Sequence, residues 1–255
     1  MKVVYFFFIF LANIPQVILA QQSGRMETDR PDQTETPYIV KLKYFQTEIG
    51  LTLKKNNGFS SLLIPTILWK YGLLKKLELH LLTEINVIES PLVIPDGNEI
   101  NSGLLPVVFG GKWSLWEEKK LLPKTSLIFH LGIPWAASKK FIVSRWAPAF
   151  RFTMQNTISK KAAIGYNFGA EWDGITKTPN WIYTLAPGFN ISKRWYGYIE
   201  LFGAVRNAEL PQHNLDAGIA YYINDNLKID LSSGRDISKN ADQHYFALGV
   251  SFRFQ

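Results

Sequence analysis

The histidines and the spaced carboxylates are the groups in this chain that could do chemistry. His80, His130, His213 and His244 stand apart from one another. There is no His-x-x-x-His pair, no Gly-x-Ser-x-Gly elbow and no phosphate loop. Metal hydrolysis, acyl transfer and phosphoryl transfer need those arrangements to bring a nucleophile, a base and an anion site together. His213 and Asp216 lie near one loop and could form a dyad, but loop pairs of this kind are common by chance. Some barrel hydrolases place His and Ser on adjacent lipid-facing strands; His80 and His130 fall on the polar alternation and fit that role poorly. Cysteine is absent, which excludes thiolate nucleophiles, thiolate metal sites and disulfides. The expectation is no enzyme, no catalytic residue, no cofactor and no metal.

What remains is charge at regular intervals. Glu48, Glu78, Glu84, Glu171, Glu200, Asp216 and Asp230, with Lys112, Arg151, Lys228 and Arg253, alternate with apolar neighbours. Phe45, Thr47, Ile49, Leu51 and Leu53 stand against Gln46, Glu48, Gly50, Thr52 and Lys54. A period of two sends one set to each face of a strand. The pattern predicts strands at 43–54, 59–69, 77–88, 103–116, 124–135, 147–158, 161–172, 180–191, 195–205, 214–223, 226–233 and 244–254. That makes about twelve, with ten or fourteen also compatible. The stretch 59–69 is the weakest, because both faces are apolar and Pro65 removes a backbone donor.

Met1-Lys2, the apolar run from Val3 to Leu11 and a small residue at Ala20 read as a secretory signal peptide over 1–20. No other segment approaches the ~18 apolar residues of a membrane helix. If the secreted chain enters a membrane, it must do so as a closed barrel, since only helices and barrels satisfy their backbone groups in lipid. The connections support this. Those after 59–69, 103–116, 147–158, 180–191 and 214–223 are short or compact. The interleaved ones (89–102, 136–146, 173–179, 206–213, 234–243) are mostly longer, as external barrel loops are, and only Lys55-Asn56-Asn57-Gly58 is short in this set. Aromatics form 14% of the chain, and Trp69, Tyr71, Trp113, Trp116, Trp135, Trp146, Trp172, Trp181 and Trp195 fall near strand ends, where a barrel carries its interfacial girdles. The fold class expected is therefore an all-β antiparallel transmembrane barrel over 43–255. An irregular segment over 21–42 precedes it, with a secreted β-sandwich as the soluble alternative.

The polar faces then point inward. Two readings stand: a paired, hydrated network that braces the barrel, or a selective path in which acids favour cations and Tyr196, Tyr198, Phe202 and Tyr222 offer stacking surfaces. Asp29, Arg30, Asp32 and Glu35, in the turn-rich 21–37 run, are candidates for a plug or gate. Calcium binding there lacks an EF-hand-like spacing. The net charge of +7 and pI near 9.4 could suggest nucleic acid, which secretion excludes. The excess sits in Lys54-Lys55, Lys75-Lys76, Lys119-Lys120, Lys139-Lys140, Arg145, Lys160-Lys161 and Lys193-Arg194. On the outer side such residues could pair with lipopolysaccharide phosphates.

Two resemblances sharpen this. Gly249-Val-Ser-Phe252-Arg-Phe254 resembles the C-terminal signal read by the outer-membrane insertion machinery, although Gln255 follows the last aromatic. Thr28-Asp29-Arg30-Pro31-Asp32 ahead of the first strand is similar to the opening of the meta-pathway phenol-degradation transporter family of outer-membrane barrels. Gln46-Thr47-Glu48-Ile49-Gly50, Lys70-Tyr71-Gly72-Leu73, Leu77-Glu78-Leu79, Gly110-Gly111-Lys112-Trp113 and Gly132-Ile133-Pro134 extend the likeness over nearly the whole secreted chain. The resemblance implies a Gram-negative outer-membrane, porin-like transporter passing a small solute, aromatic or hydrophobic, with membrane lipid around it. The alternatives are a non-conducting structural or adhesive barrel and a lipid-modifying barrel hydrolase.

Overall fold

The computed structural model describes residues 24–56, 59–91, 98–206, 210–238 and 243–255. The expected signal peptide, 1–20, lies outside the described residues. Thirteen strands are present: β1 (Phe45–Asn56), β2 (Phe59–Leu74), β3 (Leu77–Pro91), β4 (Asn98–Leu104), β5 (Val108–Trp116), β6 (Lys124–Gly132), β7 (Ala147–Thr157), β8 (Ala162–Glu171), β9 (Asn180–Asn190), β10 (Trp195–Arg206), β11 (Gln212–Asn224), β12 (Leu227–Asp236) and β13 (Gln243–Phe254). All pairings between them are antiparallel and run between chain neighbours, apart from β3 with β5 and the closing pair. There β1 meets β13 in register from Phe45↔Phe254 to Asn56↔Gln243. The sheet therefore closes on itself through β1 and β13; among the described strands only β4, which pairs with β3 alone, keeps an edge without a strand partner.

Two expectations need correction. The strand expected at 103–116 is two strands, interrupted at Leu105-Pro106-Val107. The lower part of β3 pairs with β5 (Leu77↔Trp113 to Leu82↔Val108) and its upper part with β4 (Ile85↔Leu104 to Pro91↔Asn98). β4 and β5 thus share one position in the wall, which leaves a twelve-position ring. Proline breaks the run because it cannot donate to a ladder. Part of the long loop expected at 89–102 is strand, since β3 runs to Pro91 and β4 begins at Asn98; residues 92–97 of it lie outside the described residues. β2 is also longer than expected. Its register shifts between Leu63 and Thr66, around Pro65, as a bulge that uses one extra residue and turns the rest of the strand over, from one face to the other.

Alternation decides which side faces lipid. Phe45, Leu81, Phe109, Phe129, Phe152, Phe168, Leu185, Ile199, Leu215, Ile229, Leu248 and Phe254 are exposed outside the ring, and so are seven of the eight tryptophans. Inside, Glu48, Glu78, Lys112, Glu200, Lys228 and Ser251 are almost completely buried. An apolar exterior around a polar, filled interior is the inverse of a soluble domain and suits a barrel in lipid. Both barrel termini and the compact turns lie at one end, which is the periplasmic end of such barrels. Four of the basic pairs (Lys75-Lys76, Lys119-Lys120, Lys160-Lys161 and Lys193-Arg194) are exposed on those turns. Lys54-Lys55, Lys139-Lys140 and Arg145 lie toward the other end.

Candidate functional site

The lumen is threaded by residues 24–44, which enter and leave at the periplasmic end. Met26 N–H donates to Asp225 O at 2.9 Å on the β11–β12 turn, and Arg253 Nη2 reaches Gly24 O at 3.2 Å. The chain rises to Pro31-Asp32-Gln33 and descends again to Leu42, which bridges Gly72 beside the start of β1. A turn-rich polar run without periodicity can follow this path because its backbone groups find partners on the wall.

On the β1–β5 side those partners are ions. Asp29 and Arg30 donate their N–H groups to the Glu48 carboxylate at 3.0 to 3.2 Å. Lys112 Nζ donates to both Asp29 oxygens at 2.7 and 3.0 Å. Lys70 Nζ pairs with Asp29 and, at 2.6 Å, with Glu48. Burial pushes the Asp29 carboxyl up, but Lys112 and Lys70 pull harder and hold it well below the usual carboxylate range. Glu78 receives Val40 N–H and lies 3.7 Å from Lys112 and 2.8 Å from His80 Nε2. Around the seam, Arg30 pairs with Asp230 at 3.0 Å, and Lys228 donates to Thr28 and to the Arg30 carbonyl. Gly50 and Gly249 face each other across β1 and β13, and a Cβ at either would meet the Arg30 guanidinium at 2.3 or 2.2 Å. The two glycines are the recess that admits this arginine.

On the β8–β11 side the partners are mostly neutral donors. Glu200 accepts Gln33 N–H at 2.7 Å and the Thr34 hydroxyl at 2.6 Å. Having given its one proton to Glu200, Thr34 must accept from Thr184, 2.6 Å away. The Asn167 amide pairs both ways with the Glu35 backbone at 2.7 and 3.0 Å. Asp216 sits opposite Glu200 across β10 and β11 and accepts the Tyr245 hydroxyl. Burial and then the Glu200 charge push the Asp32 carboxyl well above its ordinary range. Burial, followed by the Asp29 charge, pushes Glu35 up to about 8 against the opposing pull of Arg151. Arg151 bridges the two sides at the apex, 2.6 Å from Glu171, 3.8 Å from Glu35 and 3.0 Å from Gln33 O.

The candidate residues therefore fall into groups. Glu48, Glu78, Lys112, Asp29, Arg30, Lys228 and Asp230 form one network; Glu200, Asp216, Tyr198 and Asp32 form another; Arg151, Glu171 and Glu35 sit at the apex. Tyr196 stacks on Tyr198, with ring centroids 6.5 Å apart. Arg253 lies apart at the periplasmic mouth with Asn226, and Glu84 lies apart near the outer mouth with Thr66 at 3.2 Å. The sequence reading missed Lys70, Thr34, Asn167 and Thr184. Among the described residues no group of three or more His, Cys, Asp or Glu is placed to hold a metal ion. Water-accessible space remains on both sides of residues 30–35: about 490 Å³ toward the outer mouth, lined in part by Glu84, His130 and Phe202, and about 280 Å³ toward the periplasm, lined in part by Tyr196, Tyr222 and Lys160.

A family model described as "Putative MetA-pathway of phenol degradation" matches residues 28–254. No curated protein matches. Among solved structures, the chain is similar to the COG4313 outer membrane channel from Pseudomonas putida F1, with a TM-score of 0.64 and 12% identity over 84% of this chain and 97% of that one. It is also similar to the KdgM porin in complex with disordered oligogalacturonate (0.54, 11%, 82% and 99%) and to the NanC porin (0.53, 7%, 81% and 98%). At these identities the likeness is one of fold: a closed outer-membrane β-barrel.

Proposed function

The chain belongs to the MetA-pathway phenol-degradation family of outer-membrane β-barrels, and on that premise we propose that it is a passive channel for small aromatic or hydrophobic solutes, with residues 24–36 acting as a plug. The observation that carries this reading is the pair of water-accessible spaces, about 490 and 280 Å³, meeting at residues 30–35. A barrel built only as a scaffold gains nothing from space at both mouths; a conduit with a removable partition needs it. Tyr196 and Tyr222 line the periplasmic space and Phe202 the outer one, and these rings give a flat solute surfaces to lie on. The lumenal charges and these rings set selectivity, and no residue undergoes chemistry. The Lys54-Lys55 and Lys139-Lys140 pairs, with Arg145, pair with lipopolysaccharide phosphates. The ending Gly249–Phe254 is read by the insertion machinery.

The test is conductance in planar bilayers. Deleting residues 24–36 raises single-channel conductance several-fold if the segment occludes the path. Unchanged conductance, in a barrel that still shows a heat-modifiable gel shift, defeats the plug. Absence of solute permeation in liposomes by both forms would leave a structural or adhesive barrel.

A further inference from the structure

The basic pairs on the compact turns have no task in the lumen. Lys75-Lys76 lie between β2 and β3, Lys119-Lys120 between β5 and β6, Lys160-Lys161 between β7 and β8, and Lys193-Arg194 between β9 and β10. All eight residues are exposed, and the same four turns carry two acids, Glu117 and Glu118. Both acids are already engaged. Glu117 receives Lys124 at 2.6 and 2.7 Å, and Glu118 receives the Thr157 N–H and hydroxyl, each at 2.7 Å. Arg194 Nη1 donates to a neutral group, the Tyr221 hydroxyl, at 3.1 Å. Among the described residues no acid pairs with any of the seven lysines.

Each pair has an apolar neighbour that projects at the same level. Leu74 is 57% exposed, Leu121 94%, Ile158 62% and Ile191 63%, against 40 to 46% for the lipid-facing Phe45, Leu81 and Phe129. Trp116 and Trp195, at the strand ends beside two of the turns, are exposed as well. The turns are held in place. Lys119 and Leu122 exchange backbone hydrogen bonds at 2.9 and 3.0 Å, Ile158 N–H donates to Ala162 O at 2.9 Å, and Ser192 Oγ accepts the N–H groups of Arg194 and Trp195 at 3.2 and 3.1 Å. The rim is thus a ring of fixed stations, each with positive charge and apolar surface side by side. A hydrated anionic polymer answers the charge but leaves the apolar residues in water. A headgroup layer over acyl chains answers both: a lysine keeps its ammonium among phosphates while its stem and its neighbour lie in the apolar boundary.

We propose that this rim is a docking surface for anionic phospholipids of the periplasmic leaflet. Each basic pair holds the headgroup phosphate of one lipid, and the adjoining Leu or Ile lies on its acyl chain. The proposal goes beyond passage and rests on the orientation of the barrel alone. A zwitterionic lipid carries a phosphate too, but its own ammonium answers it, so the pair distinguishes lipids by the net charge of the headgroup. A single exposed ion pair contributes little; two basic groups at one phosphate, at low salt, give the anionic lipid a preference of roughly two- to fivefold. That preference is electrostatic and screened by salt, whereas the apolar contact is common to both lipids and is not.

The experiment is quenching of tryptophan fluorescence in bilayers of phosphatidylcholine and phosphatidylglycerol, with one lipid brominated at a time. In a background of Trp135→Phe, Trp146→Phe, Trp172→Phe and Trp181→Phe, the remaining Trp69, Trp113, Trp116 and Trp195 all lie toward this rim. Phosphatidylglycerol should associate roughly two- to fivefold more tightly than phosphatidylcholine at low salt. The ratio should approach one at about 1 M salt, where the screening length is about 3 Å. Lys75→Gln, Lys76→Gln, Lys119→Gln, Lys120→Gln, Lys160→Gln and Lys161→Gln combined, in a barrel that keeps its heat-modifiable gel shift, should remove most of the preference at low salt. Equal affinity for the two lipids, a ratio indifferent to salt, or a preference that survives the six substitutions would overturn the proposal. The salt titration needs no lysine substitution and decides the matter if the sixfold variant does not fold. Cosedimentation with purified peptidoglycan tests the cell wall as the partner. Sedimentation that the six substitutions abolish, in a barrel without lipid preference, would assign the turns to the wall's carboxylates and overturn the proposal as well.

Discussion

The two sides of the lumen hold the same segment by different physics. On the β1–β5 side Asp29 is enclosed by Lys70, Lys112 and the Glu48-bound backbone, with every charge answered by another. On the β8–β11 side Glu200, Asp216 and Asp32 come together without a cation of comparable closeness; their partners are hydroxyls and backbone N–H groups. Ion pairs in a buried site fail badly when one member is removed, because the survivor keeps its charge without a partner. Neutral hydrogen bonds to an acid fail mildly. The first side is therefore an anchor and the second a latch.

This contrast can be broken in three graded ways. The largest effect is expected from Asp29→Asn, which leaves Lys70 and Lys112 facing a neutral amide. The docked segment should lose about 3–5 kcal/mol, the usual cost of stripping a buried charge of its partner. Conductance should then approach that of the 24–36 deletion. Thr34→Val and Glu200→Gln each remove one or two neutral bonds on the other side. Each should cost about 0.5–1.5 kcal/mol, seen as a modest fall in the denaturation midpoint. If Glu200→Gln matched Asp29→Asn, the distinction between anchor and latch would be lost.

The smallest and most gradual effect is that of pH. Asp32 and Glu35 are raised, so in the docked state they hold protons that the free segment releases near its ordinary pKa. Their contribution to docking is complete at low pH and falls as pH rises from about 4.5 to about 8 for Glu35. Asp29 has the opposite sign: its depressed value makes its contribution present above its ordinary pKa, and lost only in stronger acid. Mean conductance should therefore rise between pH 6 and pH 9, and Glu35→Gln should flatten that rise. A conductance that falls over this interval would reverse the assignment of latch and anchor.

The barrel was legible in the sequence because its physics is local. Alternation at Phe45–Lys54 is a property of neighbouring residues, and it put Glu48 inward without any knowledge of its partners. Lys70 escaped because the bulge at Pro65 changes the face of β2, so counting by twos from Phe59 gives no reliable direction for it. β4 escaped because Asn98-Glu99-Ile100-Asn101-Ser102 continues a hairpin past the ring, where one apolar face is not required. The polar run before β1 was visible as a turn-rich segment, but its contacts were not. Lys228 meets Thr28 across 200 positions, and Arg30 meets Asp230 across the same interval. No pattern in a single sequence encodes pairings of that span. Within the motif Asp29-Arg30-Pro31-Asp32, Asp29 and Arg30 answer charges fixed on the strands, Lys70 and Lys112 for the first and Asp230 for the second.

The path of residues 24–44 has a mechanical consequence. Both ends of this loop leave the barrel at the same rim, so it is a fold of chain pushed into the lumen from below rather than a cork seated from above. A pull on residue 24 from the periplasm loads the bonds in series: Arg253 to Gly24 first, then Met26 to Asp225, then Lys228 to Thr28, and last the Asp29 ion cage. Loaded one after another, bonds peel at low force over a long travel. A push from the outer mouth compresses the whole fold against the wall and loads the same bonds in parallel. The segment is soft to traction from within the cell and stiff to pressure from outside.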